Sequence, residues 1–311
     1  MNEETEYSEA ISKIDELVIL LERYGINPKI NSHLENDYFL AQKLMDQYKN
    51  GQKIDDVGRS AISGLLELYY WIWSIKNCCE FNKIIPHLKL LVEASPRINE
   101  PVSIINPTTN KQDDKTNKFF EAILGMFAIK VGSNIDLDDP VASSNGDNPD
   151  IMFDFFGKRI AIACKTIRGK SMQTFLDNLN SAAIQISRSK CDIGYLAINP
   201  MNILEHKEIQ GKIFDNPYDI VGLLANDLVK IYSNARIVGQ EQLLQIIKNN
   251  PKCRPIIISL VHGCGITSSE IGNKTTSIKS SIITTLDVPG INTTADQILL
   301  SGVNEFIHRR L

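Results

Sequence analysis

The chain has 311 residues, of which 43% are hydrophobic and 23% charged, and it carries a net charge of −4. That balance supplies enough apolar side chain for a buried core and excludes a disordered chain. The mildly acidic total excludes a surface coated in basic residues but leaves room for a local patch. The six cysteines (Cys78, Cys79, Cys164, Cys191, Cys253, Cys264) form no C-x-x-C pair, and the five histidines show no zinc spacing. Reduced thiols in a cytoplasmic protein are the expectation. The opening MNEETEYSEA is acidic and shows no signal peptide.

From residue 5 to about residue 92 the pattern is helical. SEAISKIDELVILLERYG places Ile11, Ile14, Leu17, Val18 and Leu21 on one face, with Ser8 as the expected N-cap and Gly25 as the stop. DYFLAQKLMDQYKNG and DVGRSAISGLLELYYWIWSIKNCCEF follow as helices, and NKIIPHLKLLVEA as a fourth. The apolar run 61–75 contains Glu67 and is short for a bilayer, so it is expected to be a buried helix rather than a span. Residues 95–117 hold three prolines and many Asn, Asp and Thr, which predicts a linker.

Beyond the linker, helices alternate with short Val/Ile-rich strands. NKFFEAILGMFAIKVG is a helix, NIDLDD a short strand or loop, and DIMFDFF and KRIAIACKT are strands. SMQTFLDNLNSAAIQISRSK is a helix and DIGYLAINP a strand; two helices follow, then RPIIISLVHG and SIITTLDVPG as strands and a closing helix. This predicts an α/β fold with a mixed sheet flanked by helices, plus an N-terminal all-helical domain. The domains are expected at 1–94, for dimerisation or partner binding, and at 118–311, joined by the linker.

DIMFDFFGKRIAIACKT reads as a hairpin turning near Gly157-Lys158. Strand alternation puts Ile151, Phe153 and Phe155 on one face with Ile160, Ile162 and Cys164. Asp150, Ala163 and Lys165 are then expected to converge on the other, polar face. A carboxylate beside a lysine across two strands suits metal-assisted phosphate chemistry. Carboxylates hold Mg²⁺ or Mn²⁺, the ion polarises the phosphate and activates water, and the lysine stabilises developing charge. The Cys164 backbone carbonyl can complete the coordination.

These residues resemble the PD-(D/E)xK nuclease superfamily, whose fold is restriction-endonuclease-like. Pro149-Asp150 stands at the first half of its motif and Ala163-Cys164-Lys165 at the second. The resemblance covers about residues 115 to 200 well, the rest of the C-terminal half loosely, and the helical region not at all. It implies Asp150 and Lys165 as catalytic residues. It implies Asp150, Glu121 on the preceding helix and the Cys164 carbonyl as metal ligands, and Gln185 on the following helix as a weaker candidate. It further implies a Mg²⁺-dependent endonuclease acting on double-stranded DNA, in a bacterial restriction, phage-defence or repair setting. The departure is Ala163, where the motif has an acid, so this chain is expected to be inactive or nearly so. Three readings stay open: an engineered knockout, a natural pseudoenzyme, or a site in which another acid such as Asp154 has taken over. The first is preferred, because Asp150, Lys165 and Glu121 are all still there.

Each residue also has a plainer reading. Asp150 can cap a turn, Lys165 can be a strand-end lysine, Glu121 can face solvent, and Asp136, Asp138 and Asp139 are rival upstream acids. Between positions 158 and 190 lie Lys158, Arg159, Lys165, Arg168, Lys170, Arg188 and Lys190, with Asp177 the only acid. In an acidic chain this is the expected footprint of a nucleic-acid backbone. The alternative function is a non-catalytic nucleic-acid-binding or scaffold protein. The chain is expected to act as a homodimer, or with a partner protein, through the helical domain, and away from membranes.

Overall fold

The computed structural model describes residues 6–52, 55–99, 115–141, 148–268, 270, 272–286, 288–291 and 293–308. Most of the expected linker, residues 100–114, lies outside them. The first helix, α1 (Tyr7–Arg23), buries Ala10, Ile11, Ile14, Leu17 and Leu21. It starts two residues earlier than expected, on Glu6 rather than Ser8. Gly25, at φ 71°, lets the chain turn out of it. Helix α2 (His33–Lys49) is capped by the Ser32 hydroxyl, which accepts from the Glu35 N–H at 3.2 Å. Helix α3 (Asp56–Ile75) is buried nearly all round, as its apolar composition demands. The expected fourth helix is broken into short turns. A 3₁₀ turn (Phe81–Ile84), the single-turn α4 (Ile85–Leu88) and a second 3₁₀ turn (Lys89–Val92) follow one another. Pro86 cannot donate an i→i−4 bond, which keeps one continuous helix from forming.

The second half carries α5 (Lys115–Val131), β1 (Ser133–Leu137), β2 (Ile151–Phe155), β3 (Lys158–Thr166), α6 (Met172–Arg188) and β4 (Ile193–Asn199). Then come the two-residue β5 (Ile213–Phe214), α7 (Pro217–Val238), α8 (Gln240–Asn249), β6 (Cys253–Thr267), β7 (Lys274–Thr285) and α9 (Gln297–His308). The seven strands form one mixed sheet. β1, β2 and β3 are an antiparallel meander, β4 joins β3 in parallel, and β6 joins β4 in parallel. β7 runs antiparallel along most of β6, so β5 shares the other edge of β6 with β4.

Both faces of the sheet are covered. Ile151, Phe153, Ile160, Ile162 and Cys164 pack with residues of α1, α2, α3, α5 and α9 in one core. Ala161, Ala163, Leu196 and Ile198 pack with α6, α7 and α8 in the other. The helices before the linker therefore share a core with the sheet. They are also tied to it by polar contacts: buried Glu67 on α3 pairs with Lys279 on β7, and Ser63 donates to Ser277 at 2.7 Å.

The face expected to be polar is in fact buried. Ala161 and Ala163 belong to the core that α6 closes over β3, which also holds Ala182 and Ala183 of that helix. Small residues on both sides let the helix sit close to the strand. Lys165, at the end of the strand, is part-exposed on that face.

Candidate functional site

The hairpin that carries the motif turns on Phe156 and Gly157, at φ 47° and 73°, one residue earlier than the expected Gly157-Lys158. Two positive φ values make this the two-residue loop whose twist matches that of the strands. It sets Phe155 opposite Lys158, and hence Ile151 opposite Ile162.

The register decides where the peptide groups of β3 point. Ile167 N–H donates to the Asn199 carbonyl at 3.0 Å, and Asp192 N–H donates to the Arg159 carbonyl at 2.8 Å. Odd-numbered residues of β3 thus face β4, and even-numbered ones, Cys164 included, face β2. Opposite Cys164 stands Pro149, which has no N–H to give to the Cys164 carbonyl. The Cys164 N–H is taken by the side chain of Asp150, with its Oδ2 at 2.6 Å. The Pro-Asp pair therefore ends the β2–β3 ladder at this point. It turns a carboxylate into the gap and leaves the neighbouring carbonyl without a ladder partner from β2.

Other charges gather at this corner. Asp138 N–H donates to the Asp150 carbonyl at 2.9 Å, continuing the β1–β2 register one step beyond Leu137 and Ile151. Asp138, Asp150, Ala163 and Leu196 then form one row across four strands. Burial raises the pKa of Asp150; the Cys164 N–H and the Lys165 charge oppose that shift, and the Asp138 charge adds to it. Burial also raises the Cys164 thiol, and the charges of Asp150 and Glu121 push it further the same way. Glu121 on α5, Asp150 and Lys165 thus act on Cys164, and Asp138 acts on Asp150. Asp138 could be named from the sequence only as one of several upstream acids. Its place beside Asp150 depends on strand register, which no spacing in the sequence specifies.

Several expected residues lie elsewhere. Asp154 sits at the hairpin end, bound to Asn134 Nδ2 and Arg159 Nη1, each at 3.1 Å. It therefore cannot stand in for an acid at 163, and the reading in which it takes over is corrected. Gln185 is buried on the last turns of α6, and its Oε1 has no hydrogen-bond partner. Its neighbour Ile186 packs on Gly194, which pairs with Ala161, so Gln185 lies nearer the level of Ala161 than that of Lys165. The basic residues form two groups instead of one patch. Lys158, Arg159, Arg188 and Lys190 are at the hairpin end of the sheet, and Lys165, Arg168 and Lys170 at the other. Seven residues of strand separate Lys158 from Lys165, about 23 Å. Arg159 is further engaged by Asp154, Asp136 and the Asn134 carbonyl, and Lys170 by Glu205.

The donor set does not complete a Mg²⁺ or Mn²⁺ site. Ala163 supplies no oxygen and is fully buried. Among the described residues no three His, Cys, Asp or Glu side chains converge well enough to hold a metal ion. What the corner offers is a carboxylate, a carbonyl beyond the end of the β2–β3 ladder and a lysine at the end of a covered sheet face. No helix among the described residues is long and apolar enough to cross a membrane. Comparison of the chain with protein-family models, with curated proteins and with solved structures gives no match.

Proposed function

We propose that this chain is a restriction-endonuclease-like protein that engages a nucleic-acid backbone, double-stranded DNA first, through the Lys165 end of its sheet, and that it does not cut for want of an acid at 163. The observation that carries the reading is the Pro149–Asp150 corner, with its carboxylate on the Cys164 N–H and Lys165 next along the strand. The element order supports it. A helix bearing Glu121 precedes the strands of the motif, and α6 and the parallel β4 follow them. Lys165 and Arg168 supply positive charge at the end of β3, where a phosphate would lie.

The binder is preferred over a disabled but otherwise ready nuclease because of the packing at 163. Position 163 is fully buried in the core that α6 closes, and alanine suits that space. An acid there would cost about 1–3 kcal/mol in overpacking. Binding is tested by titrating labelled duplex DNA into the wild type and into Lys165→Ala plus Arg168→Ala. Loss of affinity in the double variant, with an unchanged melting temperature, supports the reading; equal affinity refutes it. Catalytic ancestry is tested with Ala163→Asp and Ala163→Glu on plasmid DNA with Mg²⁺ or Mn²⁺. Nicking that EDTA abolishes, and that an added Lys165→Ala also abolishes, would favour the disabled nuclease over the binder. Folded variants that neither cut nor bind Mn²⁺ would sink the nuclease-core assignment.

A further inference from the structure

The two edges of the sheet differ in kind. At one edge β1 has five residues, an interrupted register between Ser133 and Asp136, and Asn134 at φ 53°. Short, irregular edge strands of this sort resist pairing with another chain. At the other edge β7 has twelve residues, KTTSIKSSIITT, with no proline and an unbroken register along β6. Helices α9 and α7 pack on its two faces, on Ile283 and on Ile278 and Ile282. Among the described residues no strand pairs with its outer side. Its central lysine does not guard that edge, because Lys279 is buried against Glu67 with Trp71 beneath it.

Leu286 N–H donates to the Pro255 carbonyl at 2.8 Å, so even-numbered residues of β7 face β6. Thr275, Ser277, Lys279, Ser281, Ile283 and Thr285 therefore present their N–H and C=O groups outward. A two-fold axis normal to the sheet through Ser280 pairs all six with a second copy: Thr275 with Thr285, Ser277 with Ile283, and Lys279 with Ser281, each twice. The same register sets Ile278 opposite Ile282 and Thr276 opposite Thr284, favourable cross-strand pairs, and brings no two like charges opposite one another. An axis one residue earlier would set Lys279 against itself.

We infer that two copies of this chain join antiparallel through β7, with Ser280 on the axis, to make one continuous sheet. This moves the dimer surface from the N-terminal helices, where the sequence suggested it, to the far edge of the sheet. It is independent of the nuclease-like reading.

Ser280 would occupy a non-hydrogen-bonded pair across the axis, where Cα atoms are about 4.5 Å apart, a separation a disulfide spans. The 311-residue chain is expected to sediment at twice its 34.9 kDa mass. Ser280→Cys should cross-link on oxidation beyond the wild-type background. Thr276→Cys should not, because its two copies would stand about 26 Å apart along the strands. Ser280→Lys and Ser280→Asp should each be monomeric with wild-type circular dichroism, and an equimolar mixture should restore the dimer. A monomeric wild type overturns the inference. So does a dimer that persists in Ser280→Lys while Ser280→Cys fails to cross-link.

Discussion

The buried pair Glu67–Lys279 joins α3 to β7, and its removal measures how firmly the N-terminal helices belong to the sheet. Both side chains are almost wholly enclosed, at 2% and 7% exposure. Ser277 donates to Glu67 Oε1 at 3.5 Å, and the Lys279 ammonium lies 5.2 Å from the Trp71 ring centre. Glu67→Leu leaves that ammonium buried without its carboxylate, which costs about 3–5 kcal/mol. Unfolding entropy of about 2.1 cal/mol/K per residue over this chain length converts the loss to a fall in Tm of about 5–8 °C. Lys279→Met leaves the buried carboxylate without its ammonium and should cost a similar amount. The double variant buries apolar groups of similar volume and should return to within about 1 kcal/mol of the wild type. Calorimetry at fixed protein concentration supplies all four corners of the cycle. Single variants melting with the wild type would refute the buried contact. A double variant losing the sum of both single losses would show that the two side chains do not act as a pair.

His87 and His206 are buried, and burial lowers each pKa from its ordinary value to about 4. The unfolded chain binds these protons near pH 6.5 and the folded chain only near 4, so stability is full above 6.5 and falls as pH drops through that window. Each group contributes up to about 3 kcal/mol to that fall. Tm measured from pH 7 to pH 4.5 should fall steeply and His87→Leu should flatten the slope; an unchanged slope would exclude His87 as a source. Phe156 is 79% exposed and holds a left-handed conformation in the hairpin loop. Phe156→Asn should stabilise the protein by about 0.5–1 kcal/mol, because Asn takes that conformation at lower cost; a loss of denaturant midpoint would count against this turn.

Much of the architecture was legible in the sequence. The 3.6-residue period placed α1, alternation placed β2, and short apolar runs placed β3 and β4, which are buried on both faces. Pro149-Asp150 and Lys165 were legible as a pair for the same reason. Pro86 was visible too, yet one helix was read through it; the apolar period outweighed the missing N–H. The basic run looked like one patch because sequence proximity hides strand length. Nine residues of β3 carry its two ends to opposite poles of the sheet.

Sequence alone determined the α/β class and the hairpin, since these depend on local side-chain type and short spacing. Only the tertiary structure decided the rest. It closed α6 over Ala163, brought Asp138 beside Asp150, sent Asp154 to the far end and put β7 at the edge of the sheet among the described residues. Each of these depends on register and on which helix covers which face, and those are set by contacts between residues distant in the chain.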